Sequence, residues 1–153
     1  MADVRGWSVV MGVGNRLRGD DAVGSLVVDE LPEMDRVRVF DCSTTPENFI
    51  GPVTELEPER VLIVDACAFG GRPGEFELFG QEDFERLAAG FLSTHTLPLT
   101  MTVELLAASV PARFELLGVQ PERIAFGEGL SEPVAAALPE LVRFIRRWAG
   151  QSD

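Results

Sequence analysis

Near its start the chain contains the segment Gly12-Val13-Gly14-Asn15-Arg16-Leu17-Arg18-Gly19-Asp20-Asp21-Ala22-Val23-Gly24. An apolar, β-branched run over 7–13 leads into it, and apolar residues at helical spacing continue from it to Leu31. Glycines, an asparagine and two adjacent carboxylates therefore occupy the turn at which a strand passes into a helix. In an open α/β sheet, ligands bind in the crevice at such a turn. The segment predicts a βα unit with a ligand site at its turn.

Strand and helix patterns alternate along the rest of the chain. This alternation predicts one α/β domain over 1–153, a three-layer α/β/α sandwich with helices on both faces of a mostly parallel sheet of about five to six strands. A short turn leads into the strand at 75–79, so that strand is expected to be antiparallel. We predict strands at 7–13, 37–40, 60–67, 75–79, 112–119 and 123–126, and helices at 20–31, 46–56, 81–89, 97–110 and from Ser131 onward.

The composition excludes several classes of function. With 13 basic and 25 acidic side chains the formal net charge is −12, which argues against nucleic acid and anionic membranes as partners and leaves room for a metal or a basic peptide. No apolar run approaches the ~20 residues of a membrane-spanning helix. No signal-peptide pattern is present, so we expect the cytoplasm. The two cysteines, Cys42 and Cys67, form no CxxC pair and are expected to be buried free thiols.

Two positions supply candidate catalytic carboxylates. Asp21 lies at the start of the first helix, where Asp20 as a helix cap and Asp21 as a partner of the helix dipole are the simpler interpretation. Asp65 ends a buried strand, where a carboxylate is costly unless it is paired or bound to something. A helix cap or an ion pair with Arg72 is the alternative for Asp65. Since consecutive strands tend to be neighbours, the two carboxylates are expected to converge.

His95 is the only histidine and lies in a polar break before a helix. It is either a surface loop residue or a partner of the two carboxylates. Two carboxylates and an imidazole form an N/O site for a divalent metal with open positions, or a group that polarises a water for hydrolysis. A cysteine thiolate paired with His95 is a weaker alternative. In the opening turn, Asn15, Arg16 and Gly19 are candidates for placing a substrate.

At these residues the chain resembles the [NiFe]-hydrogenase maturation endopeptidases. Their Gly-Asn-x-Leu-x-x-Asp-Asp/Glu-x-x-Gly motif is matched by 14–24, their strand-end Asp by Asp65 in 62–66, and their histidine by His95 in 93–99. The segments 46–48, 72–75 and 117–121 resemble the branch that serves formate-hydrogenlyase-type hydrogenases.

The resemblance implies an endopeptidase that removes the C-terminal extension of a nickel-loaded [NiFe]-hydrogenase large-subunit precursor. It implies that Asp21, Asp65 and His95 are ligands of nickel, which the substrate supplies as a recognition signal, and other divalent metals are expected to suit the same site. Such enzymes are grouped with aspartic-type peptidases, which makes Asp21 and Asp65 the catalytic candidates. We expect a monomer.

Three alternatives remain open from the residues. The first is a non-catalytic, metal-sensing module that holds a metalloenzyme precursor. The second is a different hydrolase or a nucleotide-binding enzyme on a flavodoxin-like scaffold, although no phosphate-binding loop is present. The third is a structural zinc site, to which a donor set rich in carboxylates is poorly suited.

Overall fold

The computed structural model describes residues 6–84, 96–127 and 129–151, with the backbone alone for 96–99. The strands are β1 (Ser8–Val13), β2 (Val37–Ser43), β3 (Arg60–Ala66), β4 (Phe76–Gly80) and β5 (Arg113–Val119). The α-helices are α1 (Val23–Asp29), α2 (Ile50–Leu56), α3 (Thr96–Ser109) and α4 (Glu132–Trp148). Short 3₁₀ helices span Gly19–Ala22, Pro46–Phe49 and Gln81–Asp83.

The strands form one five-stranded sheet in the order β2-β1-β3-β5-β4. β1 pairs in parallel with β2 and β3, and β3 pairs in parallel with β5. β4 runs antiparallel to β5, as the short turn before it predicts. The carboxyl ends of the four parallel strands therefore meet at one edge, here called the carboxyl edge, which is where open α/β sheets bind ligands.

A hydrophobic core covers each face of the sheet. On one face, Val53 of α2 and Leu106 of α3 belong to the same buried cluster as Met11 and Ile63. On the other face, the cluster unites residues of α1 and α4 with alternate residues of the same strands, including Val27, Ile145, Val10 and Leu62. Since both faces are covered, β1 and β3 are apolar almost throughout. The predicted three-layer α/β/α sandwich with a mostly parallel sheet is confirmed.

The strand predicted at 123–126 is wrong. That segment is irregular, and the N–H groups of Glu122 and Arg123 donate to the carboxylate of Asp20. An apolar, partly β-branched run is a weak strand signal when its backbone donors are used by a side chain far away in sequence. The helix predicted at 81–89 begins as the 3₁₀ helix Gln81–Asp83, and its part beyond Phe84 lies outside the described residues.

The predicted helices at 20–31 and 46–56 each begin with a 3₁₀ turn that passes into α1 or α2. Within the described ranges, none of the helices has both the length and the apolar character needed to span a membrane.

Candidate functional site

The turn after β1 is shaped by hydrogen bonds of Asn15. Its side-chain oxygen accepts the N–H of Leu17 at 2.9 Å, and its backbone carbonyl accepts the N–H of Arg18 at 3.1 Å. Its own N–H donates to the carbonyl of Asp21 at 3.0 Å. Asparagine forms this kind of local turn readily. The structure thus assigns Asn15 a role in folding the turn, and its predicted role in binding substrate stays a prediction.

Gly19 opens the 3₁₀ helix and has a backbone conformation that favours glycine, with φ of +57°. A Cβ at this position would lie 3.0 Å from the carbonyl oxygen of Arg123 and 3.1 Å from the nitrogen of Ala125. The absence of a side chain therefore lets the turn pack against 123–125. The predicted substrate contact of Gly19 stays a prediction.

Asp21 and Asp65 both lie at the carboxyl edge, and both are buried. Asp21 is in the 3₁₀ helix, which packs against β3, and Asp65 is the second-last residue of β3. Gly24 approaches so closely that a Cβ there would lie 2.3 Å from the carbonyl oxygen of Val64, the residue before Asp65. The fold thus brings the starting turn of α1 and the end of β3 together.

Asp20 connects the turn to a distant part of the chain. It does not cap the helix; its buried carboxylate accepts four hydrogen bonds from the segment between β5 and α4. The donors are the N–H of Glu122 at 2.7 Å, the N–H of Arg123 at 3.1 Å, the N–H of Ser131 at 2.7 Å and the hydroxyl of Ser131 at 2.8 Å. Asp20 therefore joins the turn that carries Asp21 to the segment before α4. The sequence contains no local signal for this contact, since its partners lie more than a hundred residues away.

Arg16 is held by two carboxylates. Its guanidinium donates to both oxygens of Asp29, at 2.8 and 2.9 Å, and to Asp41 at 2.6 Å. These hydrogen bonds, that to Asp29 foremost, raise the pKa of Arg16 above its ordinary value. Arg16 therefore links the turn to Asp29 of α1 and Asp41 of β2. Its predicted contact with substrate stays a prediction.

Asp41 extends this network into the fold. Burial by itself raises the pKa of Asp41, but the hydrogen bonds from Arg16, from the hydroxyl of Ser25 and from the N–H of Ser43 outweigh it and lower that pKa below its ordinary value. The Ser25 hydroxyl donates at 2.8 Å. Asp41 therefore stays ionised at neutral pH and anchors the turn to the end of β2. Sequence reasoning did not single out this residue.

His95, the third predicted ligand, lies outside the described residues. Among the residues that are described, no three His, Cys, Asp or Glu side chains form a cluster able to hold a metal ion. Both Asp65 and Arg72 are described, and no ion pair joins them. The metal site formed by Asp21, Asp65 and His95 stays a prediction.

Both cysteines are buried free thiols, as predicted. Burial raises the pKa of Cys42 to about 12 and that of Cys67 to about 11, with smaller contributions from nearby carboxylates. A thiol with so high a pKa is protonated at neutral pH and is a poor nucleophile. The structure thus disfavours a thiolate mechanism.

The chain is similar in sequence to known hydrogenase maturation proteases. Residues 24–148 match the family model described as hydrogenase maturation protease. The hydrogenase 3 maturation protease of Escherichia coli K12 is 30% identical over 144 residues, which cover 93% of this chain and 90% of that protein. A putative hydrogenase maturation protease of Methanocaldococcus jannaschii is 32% identical, with 88% and 83% of the two chains covered.

Solved structures agree with these sequence relatives. The crystal structure of the [NiFe] hydrogenase maturation protease HycI from Thermococcus kodakarensis superposes with a TM-score of 0.82 at 31% identity, covering 95% of this chain and 93% of that one. The hydrogenase maturating endopeptidase HybD from Escherichia coli superposes with a TM-score of 0.80 at 26% identity, covering 94% of each chain.

Proposed function

This chain belongs to the hydrogenase maturation protease family, and from that premise we propose the reaction, the substrate and the roles of its residues. The proposed reaction is removal of the C-terminal extension from a nickel-loaded [NiFe]-hydrogenase large-subunit precursor. The nickel of the precursor is part of the substrate and acts as the recognition signal that the precursor is ready for cleavage.

The observation that carries the proposal is the placement of two buried carboxylates at one edge of the sheet. Asp21 lies in the 3₁₀ helix directly before α1, and Asp65 lies near the end of β3. The 3₁₀ helix packs against β3, and Gly24 of α1 passes close to the carbonyl of Val64. Buried carboxylates are costly and are concentrated at functional sites. This placement supports a site at which the scissile peptide meets acidic groups.

The donor set suits the nickel of the precursor. Carboxylate oxygens and an imidazole nitrogen are ligands that divalent transition metals accept. In the proposal, Asp21, Asp65 and His95 contact the nickel and so fix the tail of the precursor beside the carboxylates. Other divalent metals suit the same donors.

The proposed chemistry is peptide hydrolysis assisted by a carboxylate. Asp21 or Asp65 acts as a general base and accepts a proton from a water. The oxygen of that water bonds to the scissile carbonyl carbon at the same time. The C–N bond then breaks, and the leaving amine takes up the proton that the carboxylate had accepted from the water, which restores the carboxylate. This division of work corresponds to an aspartic-type peptidase, and both residues are proposed as catalytic.

We place the reaction in the cytoplasm and assign it to a monomer. Cys42 and Cys67 are both free thiols, which fits a reducing compartment. Asn15, Arg16 and Gly19 remain the proposed substrate contacts of the turn.

The test is tail removal from a nickel-loaded precursor, followed by mass spectrometry. Asp21→Asn, Asp65→Asn and His95→Ala are each expected to lower the cleavage rate by about 100-fold or more, since each removes a group that contacts nickel or transfers a proton. Asp35→Asn changes an exposed aspartate and serves as the charge-matched control. The nickel-free precursor is expected to remain uncut.

Near-normal cleavage by all three variants would contradict the roles proposed for Asp21, Asp65 and His95. Binding of the precursor by the unmodified protein without any cleavage would favour the non-catalytic, metal-sensing module instead.

A further inference from the structure

Four large hydrophobic side chains are exposed in the described part of the chain. Leu17 is 61% exposed, Phe126 76%, Met101 62% and Leu105 53%. Met101 and Leu105 lie on α3, whereas Leu17 and Phe126 lie in the loops that leave β1 and β5 at the carboxyl edge. Exposed apolar side chains that lie together mark interaction sites. Leu17 and Phe126 are here called the apolar rim.

The two loops of the apolar rim are joined to each other. The N–H of Gly127, next to Phe126, donates to the carbonyl of Leu17 at 2.7 Å. The N–H of Asp20 donates to the carbonyl of Arg123 at 3.0 Å, and the Asp20 carboxylate accepts the N–H groups of Glu122 and Arg123. The backbone that carries both side chains is therefore fixed by several hydrogen bonds. A fixed apolar contact loses little conformational entropy when a partner binds.

The apolar rim is continuous with the candidate catalytic edge. The carbonyl of Arg18, the residue after Leu17, accepts the N–H of Asp21 at 3.0 Å. Leu17 and Asp21 therefore belong to one hydrogen-bonded turn, which places the apolar rim next to the candidate catalytic edge. Arg18 is itself exposed, and aromatic and arginine side chains are enriched at protein interfaces.

We propose that the apolar rim determines substrate specificity by binding an apolar side chain of the large-subunit precursor next to the segment that is cut. The inference rests on the proposed function. A protein substrate is favoured over an anionic membrane because the net charge is −12. It is favoured over a second copy of this chain because the rim adjoins the edge that the tail must enter.

The test compares Leu17→Ser and Phe126→Ser with Leu105→Ser, a control of similar exposure on α3. The measurement is the steady-state rate of tail removal from the nickel-loaded precursor. Each rim substitution is expected to raise KM by about tenfold, because a buried apolar contact is lost, and to change kcat by less than about twofold. Leu105→Ser is expected to behave like the unmodified protein.

Two kinetic outcomes would overturn the inference while leaving the proposed function intact. One is that the rim variants have the same KM as Leu105→Ser. The other is that they lower kcat without changing KM, which would place their effect on the cleavage step instead of on precursor binding.

A binding titration with fluorescently labelled precursor separates this inference from the proposed function. If the unmodified protein binds but does not cut, the proposed function fails, and weaker binding by the rim variants still supports the contact. The proposed contact of the apolar rim is overturned if all variants bind the precursor equally, or if the unmodified protein does not bind it.

Near-UV circular dichroism checks that the variants are folded, and Leu17→Ala and Phe126→Ala replace any that are not. Sedimentation of the proteins without precursor gives one further result. Self-association that the rim substitutions abolish would identify a contact between copies of this chain and overturn the proposal.

Discussion

Asp20 is a buried acceptor whose carboxylate is surrounded by donors. One oxygen accepts the N–H of Ser131, and the other accepts the N–H groups of Glu122 and Arg123 together with the Ser131 hydroxyl. Hydrogen bonds to a charged acceptor are stronger than neutral ones, and donors left without an acceptor in the interior are costly. The residue beside the candidate catalytic Asp21 therefore holds that residue's turn in place.

Asp20→Ala is expected to lower the free energy of unfolding by about 3–5 kcal/mol, because it leaves the buried N–H and hydroxyl of Ser131 and two partly buried N–H groups without their acceptor. Asp20→Asn keeps one acceptor oxygen and is expected to lose about half as much. Urea denaturation measures both, with Asp35→Ala as an exposed control that changes stability by less than about 0.5 kcal/mol. An Asp20→Ala protein as stable as Asp35→Ala would contradict the role of this network.

At the scale of elements, the contact between α1 and the sheet positions the site. A Cβ on Gly24 would lie 2.2 Å from the carbonyl oxygen of Val13 and 2.3 Å from that of Val64. Both neighbours are backbone atoms of central strands, so neither can rotate away. The close approach lets α1 sit directly on β1 and β3 and carries Asp21 to the end of β3.

Gly24→Ala is therefore expected to force α1 away from the sheet and to lower the free energy of unfolding by about 3 kcal/mol. Tail removal is expected to fall as well, because the turn that carries Asp21 moves with α1. Gly129→Ala is the matched control, since a Cβ there meets open space, and its effect is expected to stay within about 0.5 kcal/mol. Thermal and urea unfolding of the two variants provide the comparison, and equal stabilities would show that α1 adjusts without cost.

At the scale of the whole molecule, acidic residues outnumber basic ones by 25 to 13. Like charges on a folded surface repel one another, and salt screens that repulsion. The surface ion pairs Arg143–Glu140 and Arg123–Glu122 oppose this trend only weakly, because exposed pairs contribute little.

Raising NaCl from 20 to 500 mM is therefore expected to stabilise the protein by up to about 1 kcal/mol. Thermal unfolding across this series measures the effect. Potassium chloride is the control for ion identity and is expected to act equally. If the midpoint temperature of unfolding falls steadily as salt is added, attractive ion pairs outweigh the net repulsion between the acidic residues.

Local sequence patterns predicted most of the architecture. The apolar runs at β1 and β3 predicted buried strands, and the short turn before β4 predicted its antiparallel direction, because these signals depend on residues close in sequence. At 123–126 the local signal gave a wrong prediction. The apolar composition of this segment suggested a strand, but Asp20 takes the N–H groups of Glu122 and Arg123, and that contact is not visible locally.

The sequence by itself determined the α/β class, the order of the elements and the identities of Asp21, Asp65 and His95 as candidates. Periodicity, turn residues and motif matches are local properties that can be read along one chain. Only the tertiary structure decided that Asp20 binds the segment before α4 instead of capping a helix, and that Arg16 is held by Asp29 and Asp41. It also decided that the loop of Leu17 is hydrogen-bonded to the loop of Phe126 through the N–H of Gly127. These facts depend on contacts between distant segments, which form only when the helices pack on the sheet.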